Sequence, residues 1–145
     1  MSSSVFPSKI EKLIESQHVM SIAVNHDGEL WSASCFYAFD RENNKLIFVS
    51  DPSTLHARGI IQNSKISGTI ANNEKRIRKI KGIQFTGKAY QVKEEYLKKA
   101  YKLFREKFAF AFLKKTTFWV IDIEYVKMTD NTYYFSSKTH WKRNT

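Results

Sequence analysis

A single cysteine, Cys35, stands alone in the 145-residue sequence, so no intrachain disulfide can form and no cysteine-based zinc motif exists. That usage suits a reducing compartment. No uninterrupted apolar run approaches the roughly 18 residues of a membrane span. No basic segment followed by an apolar core marks the start as a signal peptide, and the expected location is the cytoplasm. Neither GxGxxG nor GxxxxGK[ST] occurs, which removes the glycine loops that cradle phosphates in dinucleotide and nucleotide sites. His18, His26 and His140 lie far apart in the sequence, and no metal site is expected from them. There is no internal repeat and no low-complexity segment.

Hydrophobic residues make up 42% of the chain and aromatic residues 14%, which argues against disorder. The length suits one domain spanning residues 1–145, large enough to bury a core. Lysine and arginine number 24 against 14 acidic residues, a formal charge of +10. The densest basic cluster is Lys75, Arg76, Arg78, Lys79 and Lys81, and a second set of lysines lies between Lys98 and Lys115. Each reads as a solvated face or as an attractor of anionic ligands.

Periodicity sets the expected elements. Pro7 to Gln17 reads as an amphipathic helix capped by Ser8, with Ile10, Leu13 and Ile14 on one face. "VMSIAVNHDGELWSASCFYAF" reads as two strands joined at Asp27-Gly28, and "KLIFVS" as a third. Helical spacing returns over residues 53–62. "KISGTIA" and "GIQFTGKAYQV" are strands joined by the basic "NNEKRIRKIK", either a hairpin loop or a flexible excursion. "EEYLKKAYKLFREKFAFAF" is a helix with Leu97, Ala100 or Tyr101, Phe104 and Phe108 as its buried stripe. "TFWVIDIEYVKM" is a long last strand against which "TYYFSS" can pair. Six or seven hairpin-linked strands with few helices predict a mainly β fold, an antiparallel barrel or strongly curled sheet.

The stretch "SDPSTLHARGI" carries the most chemistry. Ser50, Ser53 and Thr54 offer hydroxyls, the helix start offers amides, and His56 and Arg58 offer further donors, a set that suits a phosphate. The competing reading is a helix cap by Ser53 or Asp51, with Pro52 at an early helical position. The two are compatible. In "WSASCF" the small residues Ser32, Ala33, Ser34 and Cys35 let a flat ligand lie against the strand, or simply mark close packing. Cys35 has no evident basic partner that would make it a nucleophile.

"MSIAVNHDGELWSASCFYAF", "KLIFVSDPSTLHARGIIQNSKISGTIA" and "GIQFTGKAYQV" resemble, in order, the core segments of the FMN-binding split-barrel superfamily, the pyridoxamine-phosphate-oxidase-like proteins. Within it the likeness is to a small uncharacterised bacterial branch sharing the "SCFY" and "LH" segments. The resemblance implies a homodimer of six-stranded antiparallel split β-barrels with flanking helices, and two FMN molecules at the subunit interface. The strand Trp31 to Phe36, with Ser34 and Cys35 at its centre, would line the flavin ring through its backbone. Ser50 through His56 would bind the phosphate, with Thr54 at the hydroxyl position and His56 where the family has lysine. Arg58 would replace the lost charge. Gln84 and Thr86 would add polar contacts, against a reading of them as outward-facing strand residues. Trp141 or Arg143 in "HWKRN" would help close the site, although a chain end of this composition is also ordinary surface.

The resulting expectation is an FMN-binding, oxidoreductase-like flavoprotein with a nicotinamide or another small redox substrate and no assigned catalytic residue. The alternative is a non-catalytic dimer that binds nucleic acid or protein through residues 75–81.

Overall fold

Alternation of apolar and polar side chains builds most of the sheet. The computed structural model describes residues 5–109, 116–132 and 137–144. After α1 (Ser8–Ser16) come β1 (Val19–His26), β2 (Glu29–Asp40), β3 (Lys45–Val49), α2 (Leu55–Gln62), β4 (Lys65–Ala71), β5 (Lys81–Gln91), α3 (Glu94–Phe108), β6 (Phe118–Asp130) and β7 (Ser137–Lys142). β4 buries Ile66, Gly68 and Ile70 and exposes Ser67 and Thr69, the strict period of a half-buried strand. β1 and β2 meet at Asp27 and Gly28, both at positive φ (53° and 82°), as a tight two-residue hairpin demands.

The strands form one antiparallel sheet in the order β3-β2-β1-β4-β5-β6-β7, with an additional β3–β6 pairing. This corrects the six-stranded split barrel expected from the sequence: the hydrogen bonding defines a seven-stranded sheet with flanking helices. β6 is long enough to serve two strands on one side. Its residues 118–122 pair with β3 and 125–130 with β7. Polar "SKTHWK" carries little strand propensity. It pairs with β6 because the hairpin turns Trp141 inward opposite Val126. The strand expected at "TYYFSS" falls largely on residues 133–136, outside the described residues.

The main core gathers Ile10, Leu13 and Ile14 of α1 with Met20, Tyr37, Phe48, Phe85 and Trp119 of the sheet. A second cluster joins Ala38, Ile47, Phe118 and Val120 to Ala100 and Phe104 of α3. Ala100 and Phe104 of the expected α3 stripe are buried and Phe108 packs against their cluster, whereas Leu97 is 44% exposed. In the first turn Tyr96 takes the inward place instead, its hydroxyl donating to the buried carboxylate of Asp40 at 2.5 Å. At α1, Pro7 occupies the cap position without a side-chain cap, so Ser8 lies in the first turn instead of capping it. The basic linker is a hairpin loop containing a short 3₁₀ turn, Ile77–Lys79. Asn72 pins it by donating to the Lys79 carbonyl (2.8 Å) and accepting from the Lys81 amide (3.1 Å). Among the described residues no helix is long and apolar enough to cross a membrane.

Candidate functional site

β3 ends at Val49, and the Trp119 indole nitrogen holds the next residue by donating to the Ser50 carbonyl at 2.8 Å. Asp51 then folds the chain back. Its carboxylate accepts from the Ser53 amide (2.8 Å) and the Ser53 hydroxyl (2.7 Å). The cap of α2 is Thr54, not Ser53 or Asp51: its Oγ1 accepts from the Ala57 amide at 3.3 Å and donates to the Asp51 carbonyl at 2.8 Å. Pro52 accordingly lies in the turn before the helix. Capping at Ala57 leaves the first-turn amides of Leu55 and His56 without a partner among the described residues.

His56 is half-buried, with Nε2 shared between the Ser50 hydroxyl and the Thr54 hydroxyl, the latter at 3.4 Å. Burial holds its pKa below the ordinary histidine value. The imidazole is therefore mainly neutral at neutral pH and does not supply the fixed cation expected at this position. Arg58, one turn beyond Thr54, is exposed and makes no ion pair among the described residues. The one carboxylate in the turn, Asp51, has its pKa lowered by its hydrogen bonds from Ser53 and stays ionised.

β2 lies alongside this turn with an open edge. It pairs with β3 only from Tyr37 to Asp40, whereas β1 accompanies it from Glu29 to Phe36. The Tyr37 amide donates to the His18 carbonyl at 3.1 Å. By ladder alternation the main-chain groups of Ser32, Ser34 and Phe36 point the other way, toward an edge that no described strand covers. Because Phe48 pairs with Tyr37, Ser50 and the turn after it emerge beside that edge. Ser34 is exposed; Cys35 points into the core, where burial raises its thiol pKa to about 11. It contributes backbone at most.

Gln84 and Thr86 are outward-facing and lie elsewhere. Register runs Ser34, Ser21, Thr69, Gln84, Lys127 across β2, β1, β4, β5 and β6, which separates Gln84 from Ser34 by three strand spacings, about 14 Å. A parallel row runs Ser32, Ala23, Ser67, Thr86, Tyr125. Between the rows lies an open groove of about 410 Å³ floored by small and hydroxyl side chains. The sequence reading missed Ser21, Ser67, Thr69, Tyr125 and Lys127. Their signal was period-two spacing of hydroxyls in "SIA" and "SGT", which joins across the sheet only once register is known.

Trp141 is not at the site. Its indole is 95% buried against Phe6, ring centroids 4.8 Å apart. Arg143 is likewise structural, donating to the carbonyls of Ile123 (2.7 Å), Asn43 (3.1 Å) and Asn44 (2.9 Å). The β6–β7 ladder carries this tail into the chain's own core, away from the β2 edge.

No family model matches the chain. In structure it resembles a heme binding protein from Mycobacterium smegmatis, with a TM-score of 0.75 at 16% identity over 95% of this chain; the chain spans 59% of that protein. It also resembles an FAD-binding protein from Mesorhizobium loti, with a TM-score of 0.68 at 16% identity over 86% of this chain and 94% of that one. These likenesses show that the chain shares the fold of these proteins. In sequence it is 34% identical over 134 residues to the UPF0306 protein YhbP of Salmonella paratyphi B, covering 92% of this chain and 91% of that protein. It is 33% identical over 135 residues to a UPF0306 protein of Serratia proteamaculans, covering 93% of this chain and 94% of that protein, and the chain belongs to the UPF0306 family.

Proposed function

We propose that the chain binds FMN and works as an oxidoreductase-like flavoprotein. The observation that carries the reading is the open β2 edge beside the partner-free first-turn amides of α2. The phosphate would take the Leu55 and His56 amides and Arg58, with the Thr54 hydroxyl donating only on turning from the Asp51 carbonyl, a donor set suited to a dianion. The ring would lie along Ser32 to Phe36, where the small side chains of Ser32 and Ser34 leave its plane unobstructed. Asp51 opposes the phosphate charge and already takes both Ser53 donors, so the site fits with weakened electrostatics. The flavin supplies the redox chemistry when bound. The chain's own residues bind and orient it, and none stands as an acid or base toward the ring.

The functional unit in this reading is a homodimer. Leu30, Trp31 and Phe36 of β2 are 81%, 49% and 55% exposed, an apolar surface that suits a second copy. Gln84 and Thr86, too distant within one chain, would reach a ring only from that copy. An FAD-binding protein among the structural neighbours is consistent with flavin, and heme proteins among them make heme the comparison ligand.

The test is the visible spectrum after incubation with excess FMN and desalting, with bound flavin counted per subunit. Stoichiometric retention that falls on Arg58→Ala supports the reading, and reduction by NADH or NADPH is then measured. Absence of retained flavin at both mildly acidic and neutral pH overturns it. Retention of heme in place of FMN overturns it in favour of the other ligand.

A further inference from the structure

On α3 the exposed Lys98, Lys102 and Arg105 share their face with Glu94, Glu95 and Glu106, so that face is close to neutral. The loop between β4 and β5 is different. Its residues 72–80 carry one carboxylate, Glu74, and Arg76 occupies it through hydrogen bonds of 2.7 and 2.9 Å. Lys75, Arg78 and Lys79 are exposed and stand in none of the ion pairs among the described residues. At the base of the loop Asp130 lies opposite Lys81 in the β5–β6 register and is offset by the charges of Lys81 and Lys9. Among these cations stands Ile77, 60% exposed. Its exposure is built into the loop, because the 3₁₀ turn Ile77–Lys79 is tied down through its carbonyls. The Ile77 carbonyl accepts from the Asn131 side-chain amide at 3.0 Å and from the Ile80 amide at 3.3 Å, and the Lys79 carbonyl accepts from the Asn72 side chain at 2.8 Å. The Asn131 main-chain amide adds a bond to the Ile80 carbonyl at 3.1 Å. None of the three residues of the turn is buried.

We infer that this loop docks the protein on an anionic lipid surface, with Ile77 entering the headgroup layer among Lys75, Arg78 and Lys79. A cation held near an anionic leaflet strengthens binding about fivefold, and an aliphatic side chain that reaches the acyl boundary adds to it. The turn is already ordered by its hydrogen bonds, so docking costs little further backbone entropy. The tip also decides between lipid and nucleic acid. Residues 72–80 contain no aromatic ring on which a base could stack, whereas an exposed isoleucine has a place in a lipid headgroup layer and none along a phosphate backbone. Three cations and one aliphatic side chain give reversible binding at the surface, not a membrane span. Lys75, Ile77, Arg78 and Lys79 have no part in the proposed flavin site, and the inference does not depend on the flavin.

The experiment is flotation of the full chain with unilamellar vesicles, either of phosphatidylcholine alone or of equal parts phosphatidylcholine and phosphatidylglycerol, at several salt concentrations. Binding to the anionic vesicles alone, weakening as salt rises, is the expected result. Lys75→Ala/Lys79→Ala is expected to lower partitioning roughly 25-fold, two cations at about fivefold each. Ile77→Ser is expected to lower it roughly tenfold with the salt dependence unchanged. Lys98→Ala/Lys102→Ala, an equal loss of charge on α3, should alter it by no more than about twofold. All these side chains lie on the surface, and circular dichroism of each variant confirms its fold. The proposal is overturned by no binding to anionic vesicles, by equal binding to neutral ones, by equal losses from the two double variants, or by an Ile77→Ser protein that binds like the wild type. Loop-dependent binding of a single-stranded oligonucleotide with no binding of vesicles overturns it in favour of nucleic acid.

Discussion

His56 shows how one position changes character between sequence and structure. A histidine beside two hydroxyls and an arginine reads as a phosphate donor, yet burial against Ser50 and Thr54 holds its pKa down and the ring neutral. The sign of the linkage follows. A base whose folded pKa lies below its unfolded value of about 6.5 contributes full stability above that value and loses it as pH falls toward the folded pKa. An anionic ligand reverses the preference, because it favours the charged ring. FMN affinity is therefore expected to rise as pH falls through the folded His56 pKa, and titrations across the weakly acidic range measure it. Asp51→Asn keeps the turn's acceptor while removing its charge and is expected to raise that affinity roughly two- to fivefold, an effect that shrinks in high salt. Cys35 gives an independent check on burial. With its pKa raised to about 11, thiolate at mildly alkaline pH falls about 100-fold below that of a thiol at the reference value of 9.0. Iodoacetamide should label native protein at least that much more slowly than urea-unfolded protein.

At the level of elements, register joins residues that sequence keeps apart. β4 and β5 both alternate plainly, so their existence was legible; their alignment rests on close backbone approach at Gly68. A Cβ there would lie 2.7 Å from the Ser21 carbonyl oxygen of β1 and would also press on the Phe85 ring. Gly68→Ala is expected to cost about 1–3 kcal/mol, read as a lower urea midpoint with unchanged m. A wild-type midpoint would remove the close-approach account. α3 was legible as a helix with Ala100, Phe104 and Phe108 inward but not in its first turn, because periodicity alone does not reveal that Tyr96 rather than Leu97 is drawn inward, toward the Asp40 carboxylate. The cap of α2 moved to Thr54 for a comparable reason: several residues of "SDPST" are competent, and the Asp51 turn decides which one meets the helix.

Across the whole molecule the C-terminal strand closes the structure. Arg143 reaches from beyond β7 to carbonyls on β6 and on the β2–β3 turn, and its guanidinium lies 5.5 Å from the Trp141 ring. Arg143→Ala is expected to cost about 2 kcal/mol through lost charge-assisted hydrogen bonds. Arg143→Lys should restore only part of this, since lysine lacks the fork that meets separate carbonyls. Thermal unfolding of the three proteins measures both effects, and an unchanged Tm in the alanine variant would show the clamp to be energetically idle.

What the chain settled by itself was local: the hairpin at Asp27-Gly28, the strand periods, the amphipathic helices and the hydroxyl-rich passage from Ser50 to Arg58. These depend on spacing and turn chemistry within a few residues, which a linear reading contains. Tertiary structure decided what depended on distant partners. β6 divides its edge between β3 and β7, which makes the sheet seven-stranded and leaves part of the β2 edge uncovered. Strand pairing moved Gln84 and Thr86 away from Ser34, drew Trp141 inward and set Lys127 beside β7. Side-chain burial and ladder register are sums over contacts from the whole chain, so the residue types named the chemistry available and the fold determined where it could be used.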